Sequence, residues 1–271
     1  MPFRPVSAEK LSHAVVRQIE ELILRGILKP GERLPAERDL AERLGVSRPS
    51  LRDAIAALQS TGLLSARPGA GVFVADVLGS AFSPALIALF ARHDEAAMDY
   101  IAFRRDMEGL AAARAARLAS DTDLAVISAL FAKMQTAQDP ATEAALDAQF
   151  HMSIIEASHN VVMLHMMRSM YDLLRGGVFY NRQIMFRQQT TRAHLLEQHR
   201  AINDALMARD PDAATAAEEA HLTFVERALL DHQRAARHED IARQRLDHEL
   251  DRSSAPPHAA RNRQNTEDPT A

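Results

Sequence analysis

Cysteine and tryptophan are both absent from this 271-residue chain. Without cysteine there is no disulfide framework and no thiolate metal site, which suits a reducing compartment. Any bound metal has only His, Asp and Glu to hold it. Long hydrophobic runs are also missing, because charged residues interrupt each apolar stretch before it could span a bilayer. The opening "MPFRPVSAEKLSHAVV" lacks the apolar segment of a secretory signal. These absences lead to the expectation of a soluble, cytoplasmic protein without a membrane partner. Strand-forming sequence is scarce as well, since almost nothing after Pro84 favours β structure.

The formal net charge is −4, but it is unevenly spread. Residues 1 to 75 hold 11 Lys and Arg against 8 Asp and Glu, whereas the remainder holds 21 against 28. Only the first segment has the sign that a phosphate backbone attracts. The length accommodates two domains of ordinary size.

Leu11, Val15, Ile19, Leu22 and Ile23 recur at helical spacing within residues 8–25, and Gly26 ends that run. A Pro-Gly turn, a short helix over 36–44, a stop at Gly45 and a helix over 48–61 follow. Two short helices around a tight glycine-containing turn make a helix-turn-helix. The next stretch, "LLSARPGAGVFVA", reads as a hairpin wing. The chain is thus mainly α, with an N-terminal winged helix-turn-helix at 1–76 and a linker at 77–83. An all-α helical bundle follows at 84–248, and a disordered tail at 249–271. In the bundle, periodicity predicts helices over 96–118, 123–138, 142–157, 161–186, 191–209 and 211–248, with Pro140 and Pro211 in first turns.

Within "LGVSRPSLRDAI", Ser47 stands where an N-cap belongs, and Pro49 falls in the first turn, where a missing N–H breaks no intrahelical bond. Arg48 and Arg52, four apart, leave one face near the start of the helix, the end that meets base edges in helix-turn-helix docking. A guanidinium can donate two parallel bonds to guanine, or it can fix register on a phosphate. Arg48 is assigned to bases and Arg52 to either role. Arg38 is placed at a backbone phosphate, Arg67 and Gly69 of the wing at an adjacent groove, and Ser47 and Ser50 complete the DNA-facing set. The competing reading pairs these arginines with Glu37, Asp39, Glu42 and Asp53 as solvated ion pairs.

In "DAQFHMSIIEASHN", Asp147 and His151 lie one turn apart and share a helical face. His199 and His221 fall in successive helices and come level if those helices form a hairpin near Pro211. One carboxylate and three imidazoles would suit zinc first, with nickel, manganese or iron as alternatives. From spacing alone, a metal site and a simple Asp147–His151 hydrogen bond in a polar cavity both remain open. Met163, Met166, Met167 and Met170 have the spacing of an adaptable packing face.

The stretch "LILRGILKPGERLPAERDLAERLGVSRPSLRDAIAALQSTGLLSARPGAGVFV" resembles the winged helix-turn-helix of GntR-type bacterial transcription regulators. The helical remainder resembles the FCD effector domain of that family's FadR branch, through "FRRDMEGLAAARAA", "DAQFHMSIIEASHN", "EQHRAINDAL" and "HLTFVERALL". Within the branch the chain is most similar to pyruvate dehydrogenase complex repressors and to lactate- and glycolate-responsive regulators. The resemblance implies a homodimer on palindromic double-stranded operator DNA. It also implies a metal held by Asp147, His151, His199 and His221, and it places Arg104 in the effector cavity, where the residues alone offer an ion pair with Glu108. The expected function is a repressor released by a small carboxylate of the pyruvate, lactate or glycolate type bound beside the metal. A sugar-acid effector is the alternative within the family, and a metal-dependent hydrolase is the alternative outside it.

Overall fold

The computed structural model describes residues 11–75, 89–90, 93–175 and 189–254. The expected linker at 77–83 therefore lies outside the described residues. Two compact units divide the chain, one up to Val225 and one from Glu226.

The first helices are α1 (Leu11–Leu24), α2 (Glu37–Leu44) and α3 (Arg48–Ser60). Helix α1 buries Val15, Ile19 and Ile23, one residue per turn. They join Leu51, Ala54, Leu58, Leu64 and Val74 in one apolar cluster. Full burial of a side chain such as Leu51 or Leu58 stabilises the fold by about 1.5–3 kcal/mol. Gly45 ends α2 in a left-handed conformation. Ser47 caps α3, its side chain accepting from the Ser50 amide at 3.3 Å. Strands β1 (Leu64–Arg67) and β2 (Gly71–Val74) pair antiparallel, with Leu64 opposite Val74. Leu34 N–H donates to Val72 O at 2.9 Å, which ties the wing to the segment before α2.

The helical part comprises α4 (Asp94–Leu118), α5 (Asp121–Thr136), α6 (Pro140–Ala157), α7 (Val161–Arg175), α8 (Gln189–Met207) and α9 (Pro211–Ser254). Ala111, Ala112, Ala115 and Ala116 are all fully or almost fully buried, a stripe of small side chains that lets neighbouring helices approach α4 closely. The core continues through Leu124, Ile127, Phe131, Phe150, Ile154, Ile202 and Leu206. Helix α5 starts two residues earlier than its apolar period suggests, because Ser120 and Asp123 form a reciprocal capping box. Helix α6 likewise starts at Pro140, since the Asp139 carboxylate accepts from the Thr142 amide at 2.8 Å. Helix α9 runs six residues past the expected limit at 248, to Ser254, so residues 249–254 are helical where a disordered tail was expected. Residues 255–271 lie outside the described set.

Among the described residues, two non-glycine residues are left-handed, His159 (φ 51°) after α6 and Arg209 (φ 53°) after α8. Both side chains are anchored at the start of α5. Arg209 donates to Ala119 O at 2.7 Å and to Asp121 Oδ1 at 2.9 Å, and His159 Nε2 lies 3.1 Å from Asp123 Oδ2. The end of α1 meets α7 in the same way, through specific polar contacts. His165 donates to Leu24 O at 2.9 Å, and Arg168 donates to Gly26 O at 3.0 Å and to Glu156 Oε1 of α6 at 2.7 Å. Gly26 has φ 72°, a conformation that favours glycine, and a Cβ there would fall 2.0 Å from Arg168 Nη1 and displace the guanidinium.

Ser120→Ala removes the cap on which α5 begins. It is expected to destabilise the protein by about 1 kcal/mol, read from chemical denaturation, with the helical circular dichroism signal retained.

Candidate metal centre and DNA-reading surface

At the start of α3, the side chains of Arg48 and Arg52 are 58% and 62% exposed and share one acid. Arg52 Nε donates to Glu37 Oε2 at 2.8 Å, and Arg48 Nη2 lies 4.0 Å from the same oxygen. Arg38 is paired to Asp39 at 3.3 Å and is 83% exposed. The surface ion pairs weighed against DNA contact therefore form with Glu37 and Asp39. In water such pairs contribute little and exchange readily, so they orient the guanidiniums without committing them. Ser50 Oγ lies 2.9 Å from Ser47 Oγ. On the wing, the Arg67 guanidinium sits 4.3 Å over the Phe73 ring, a cation–π contact that holds it close to the hairpin. Gly69 turns the hairpin with φ 72°.

In the helical part, α6 positions Asp147 and His151, α8 positions His199, and the first turns of α9 position His221. All four are buried. His199 Nε2 lies 3.1 Å from Asp147 Oδ1 and 3.3 Å from His151 Nε2, and His151 Nε2 lies 3.7 Å from Asp147 Oδ1. One donor atom from each of the four falls within 4.8 Å of the others. The hairpin expected near Pro211 brings His199 and His221 level, with ring centroids 4.5 Å apart.

Electrostatics favour the neutral ring, with its lone pair, at His221 and His199. Burial pulls His221 well below the ordinary histidine range, helped by its two imidazole neighbours, and burial likewise lowers His199. Burial alone would lower His151 too, but the carboxylates of Glu218 and Glu108 overturn that and raise it well above its ordinary value. Burial opposes ionisation of Glu108, yet Arg104 and His151 hold it far below the usual carboxylate range.

Arg104 reaches the site from α4, almost wholly buried, with Nε donating to Glu108 Oε1 at 2.5 Å and Nη2 to Oε2 at 3.0 Å. Its charge is felt at His221, where it disfavours the imidazolium. The i, i+4 ion pair and the position beside the cluster thus occur together.

Three further residues take part. Glu218 Oε1 receives His151 Nδ1 at 2.9 Å, and Glu108 Oε2 lies 3.0 Å from the same nitrogen. His221 Nδ1 faces Gln198 Oε1 at 3.1 Å. Glu218 is three residues before His221 on one helix, a spacing that could have singled it out. Beside the cluster, a small pocket is lined by Met134, Glu143, Arg192, Leu196 and His199. Within it Arg192 is ion-paired to the buried Glu143.

The donor set fits a divalent cation. Asp147, Glu108 and Glu218 bring three buried carboxylates against the single buried guanidinium of Arg104, and burial of uncompensated charge is costly. The methionines of α7 behave as packing: Met163 and Met167 are buried one turn apart, whereas Met166 is 53% exposed.

A small wing and recognition helix joined to a helical bundle with a polar interior define a DNA-binding transcription regulator. Comparison with known proteins specifies the family. Residues 11–74 match the model of bacterial regulatory proteins of the gntR family, and residues 99–224 match the FCD domain. The chain is 38% identical over 224 residues to an Escherichia coli protein assigned as regulator of the L-lactate dehydrogenase operon, covering 81% of this chain and 86% of that one. It is 32% identical over 227 residues to the Glc operon transcriptional activator of Escherichia coli, covering 82% and 89%. A Streptococcus agalactiae GntR structure aligns with TM-score 0.49 at 24% identity, covering 80% of this chain and 99% of that one. The chain belongs to the GntR family and carries an FCD domain. As a transcription regulator of that family it is not an enzyme, and the hydrolase alternative is set aside. No described helix is long and apolar enough to cross a membrane.

Arg48→Ala is expected to weaken binding to a specific operator more than binding to random DNA of equal length, as read by band shift at fixed salt. Equal losses on both would reassign Arg48 to the backbone.

Proposed function

We propose that the protein is a cytoplasmic, homodimeric repressor that leaves its operator when a small carboxylate binds in the helical domain, next to a metal ion. The observation that carries this reading is the convergence of Asp147, His151, His199 and His221 from three helices, in the same chain as a gntR-type reading head. These four residues would hold the divalent ion, zinc first among the candidates. When bound, the ion supplies an electrophilic coordination position for a carboxylate oxygen.

This chain's own groups then select an anion. Arg104 adds positive potential beside His221 while remaining engaged with Glu108. The pocket at His199, which Arg192 also lines, is where a small anion would approach the cluster. Compact 2-oxo and 2-hydroxy acids match a site that offers a metal position and a cationic field. The relatives assigned to the L-lactate dehydrogenase and Glc operons favour the same ligand class.

Arg38, Ser47, Ser50, Arg48, Arg52, Arg67 and Gly69 would face the duplex, with paired recognition helices spaced by the dimer. A link between cavity and reading head is present in side chains. Helix α6 carries both Asp147 and His151 and also Glu156, which holds Arg168, and Arg168 holds the backbone at the end of α1. A displacement of α6 on ligand binding would be felt at α1 through that pair. Thermodynamic linkage then requires operator DNA to weaken the effector by the same factor.

The test is a thermal-shift panel of pyruvate, lactate, glycolate and hexuronic acids on metal-free and metal-loaded protein, with hits added to an operator band shift. A small 2-oxo or 2-hydroxy acid should raise Tm only in the metal-loaded form and release DNA. His199→Ala should lower the bound metal measured by elemental analysis, and unchanged metal would reject the ligand set. Arg168→Ala should keep metal content and acid binding while blunting acid-induced release from DNA. Full release in that variant would remove Arg168 from the coupling path.

A further inference from the structure

We propose that Glu218 is a positioning residue for the metal centre: it takes the Nδ1 hydrogen of His151 and so presents the Nε2 lone pair to the ion. The proposal rests on the reading of Asp147, His151, His199 and His221 as ligands. A neutral imidazole has one protonated nitrogen and one lone pair, and the partner of the first decides the direction of the second. His151 is fully buried, so water does not make that choice. Its Nε2 faces His199 Nε2 at 3.3 Å and Asp147 Oδ1 at 3.7 Å, while its Nδ1 faces Glu218 Oε1 at 2.9 Å and Glu108 Oε2 at 3.0 Å.

Of the two acids, Glu218 is the one given to His151. Both Glu108 oxygens already receive Arg104, whose charge offsets the carboxylate. Glu218 is fully buried, its Oε1 is on His151, and its Oε2 has no hydrogen-bond partner. A buried carboxylate in that position draws its compensation from His151 and whatever His151 binds.

Glu108, His151 and Glu218 could instead gather around a second ion. Charge decides against that arrangement. The three buried carboxylates and Arg104 leave two negative charges, which one divalent ion cancels. A second ion would have to expel the Nδ1 hydrogen from a ring already serving the first, and even then would leave a net positive charge in a dry interior. His221 shows the neutral version of the same device, its Nδ1 donating to the amide oxygen of Gln198 at 3.1 Å. The charged acceptor behind His151 makes that ring the stronger donor.

The test uses full-length protein with wild-type, Glu218→Gln and Glu218→Ala chains. Zinc affinity is measured by competition with a chromophoric chelator, and coordination by the visible absorption of cobalt-substituted protein. Glu218→Gln keeps size and an acceptor oxygen, so it should fold and bind zinc on the order of 10-fold more weakly, with a shifted cobalt spectrum. Glu218→Ala should lose on the order of 100-fold. A folded Glu218→Gln protein with wild-type zinc affinity and an unchanged cobalt spectrum overturns the proposal while leaving the four ligands standing. If the wild-type chain binds neither ion, the ligand reading itself is overturned and the role of Glu218 falls with it.

Discussion

Three carboxylates and three imidazoles packed out of reach of water cannot settle their charges by hydration. They must do so among themselves, and Asp147, Glu108, Glu218, His151, His199 and His221 do so around Arg104. This constraint organises the helical part. It requires α4, α6, α8 and α9 to hold their inward polar groups in one register, since an unpaired member would cost several kcal/mol. The apolar core formed by Phe150, Ile154, Ile202 and Leu206 sits beside the polar cluster on the same helices, and Phe150 meets the His199 ring edge-on at 5.3 Å. The polar interior is therefore built into the packing, and a change in its charge would act on the helices directly.

The reading head obeys a different logic. Its arginines lie in water, where pairs such as Arg52 with Glu37 are shallow and easily replaced by phosphate or base contacts. What is rigid there is the backbone: the Ser47 cap, the left-handed Gly45 and the apolar cluster under Leu51 and Leu58. A frame fixed by capping and packing, with its cations held loosely in water, suits a surface that binds DNA.

Local periodicity made much of this legible in the sequence. Val15, Ile19 and Ile23 mark α1, and Ser47 with Pro49 marks the start of α3. The i, i+4 spacing of Asp147 and His151 identified one half of the cluster, because neighbours on one helix are fixed by its geometry. His199 and His221 were reachable through Pro211, which sets a helical hairpin. Glu218 offered only its i, i+3 spacing from His221, and Gln198 offered nothing, because their significance depends on which helix packs opposite them. The same holds for Arg168, whose partners are a backbone carbonyl 142 residues away and an acid on another helix. Helix starts were misjudged where a polar cap precedes the apolar period, as at Ser120 and Asp139.

Gly26 carries an implication for substitution. Arg168 lies against bare main chain at a point where even a methyl group would collide with it. A larger residue would push the guanidinium away from the carbonyl that it now reaches at 3.0 Å. The tie between the end of α1 and α7 thus depends on a position that carries no side chain at all.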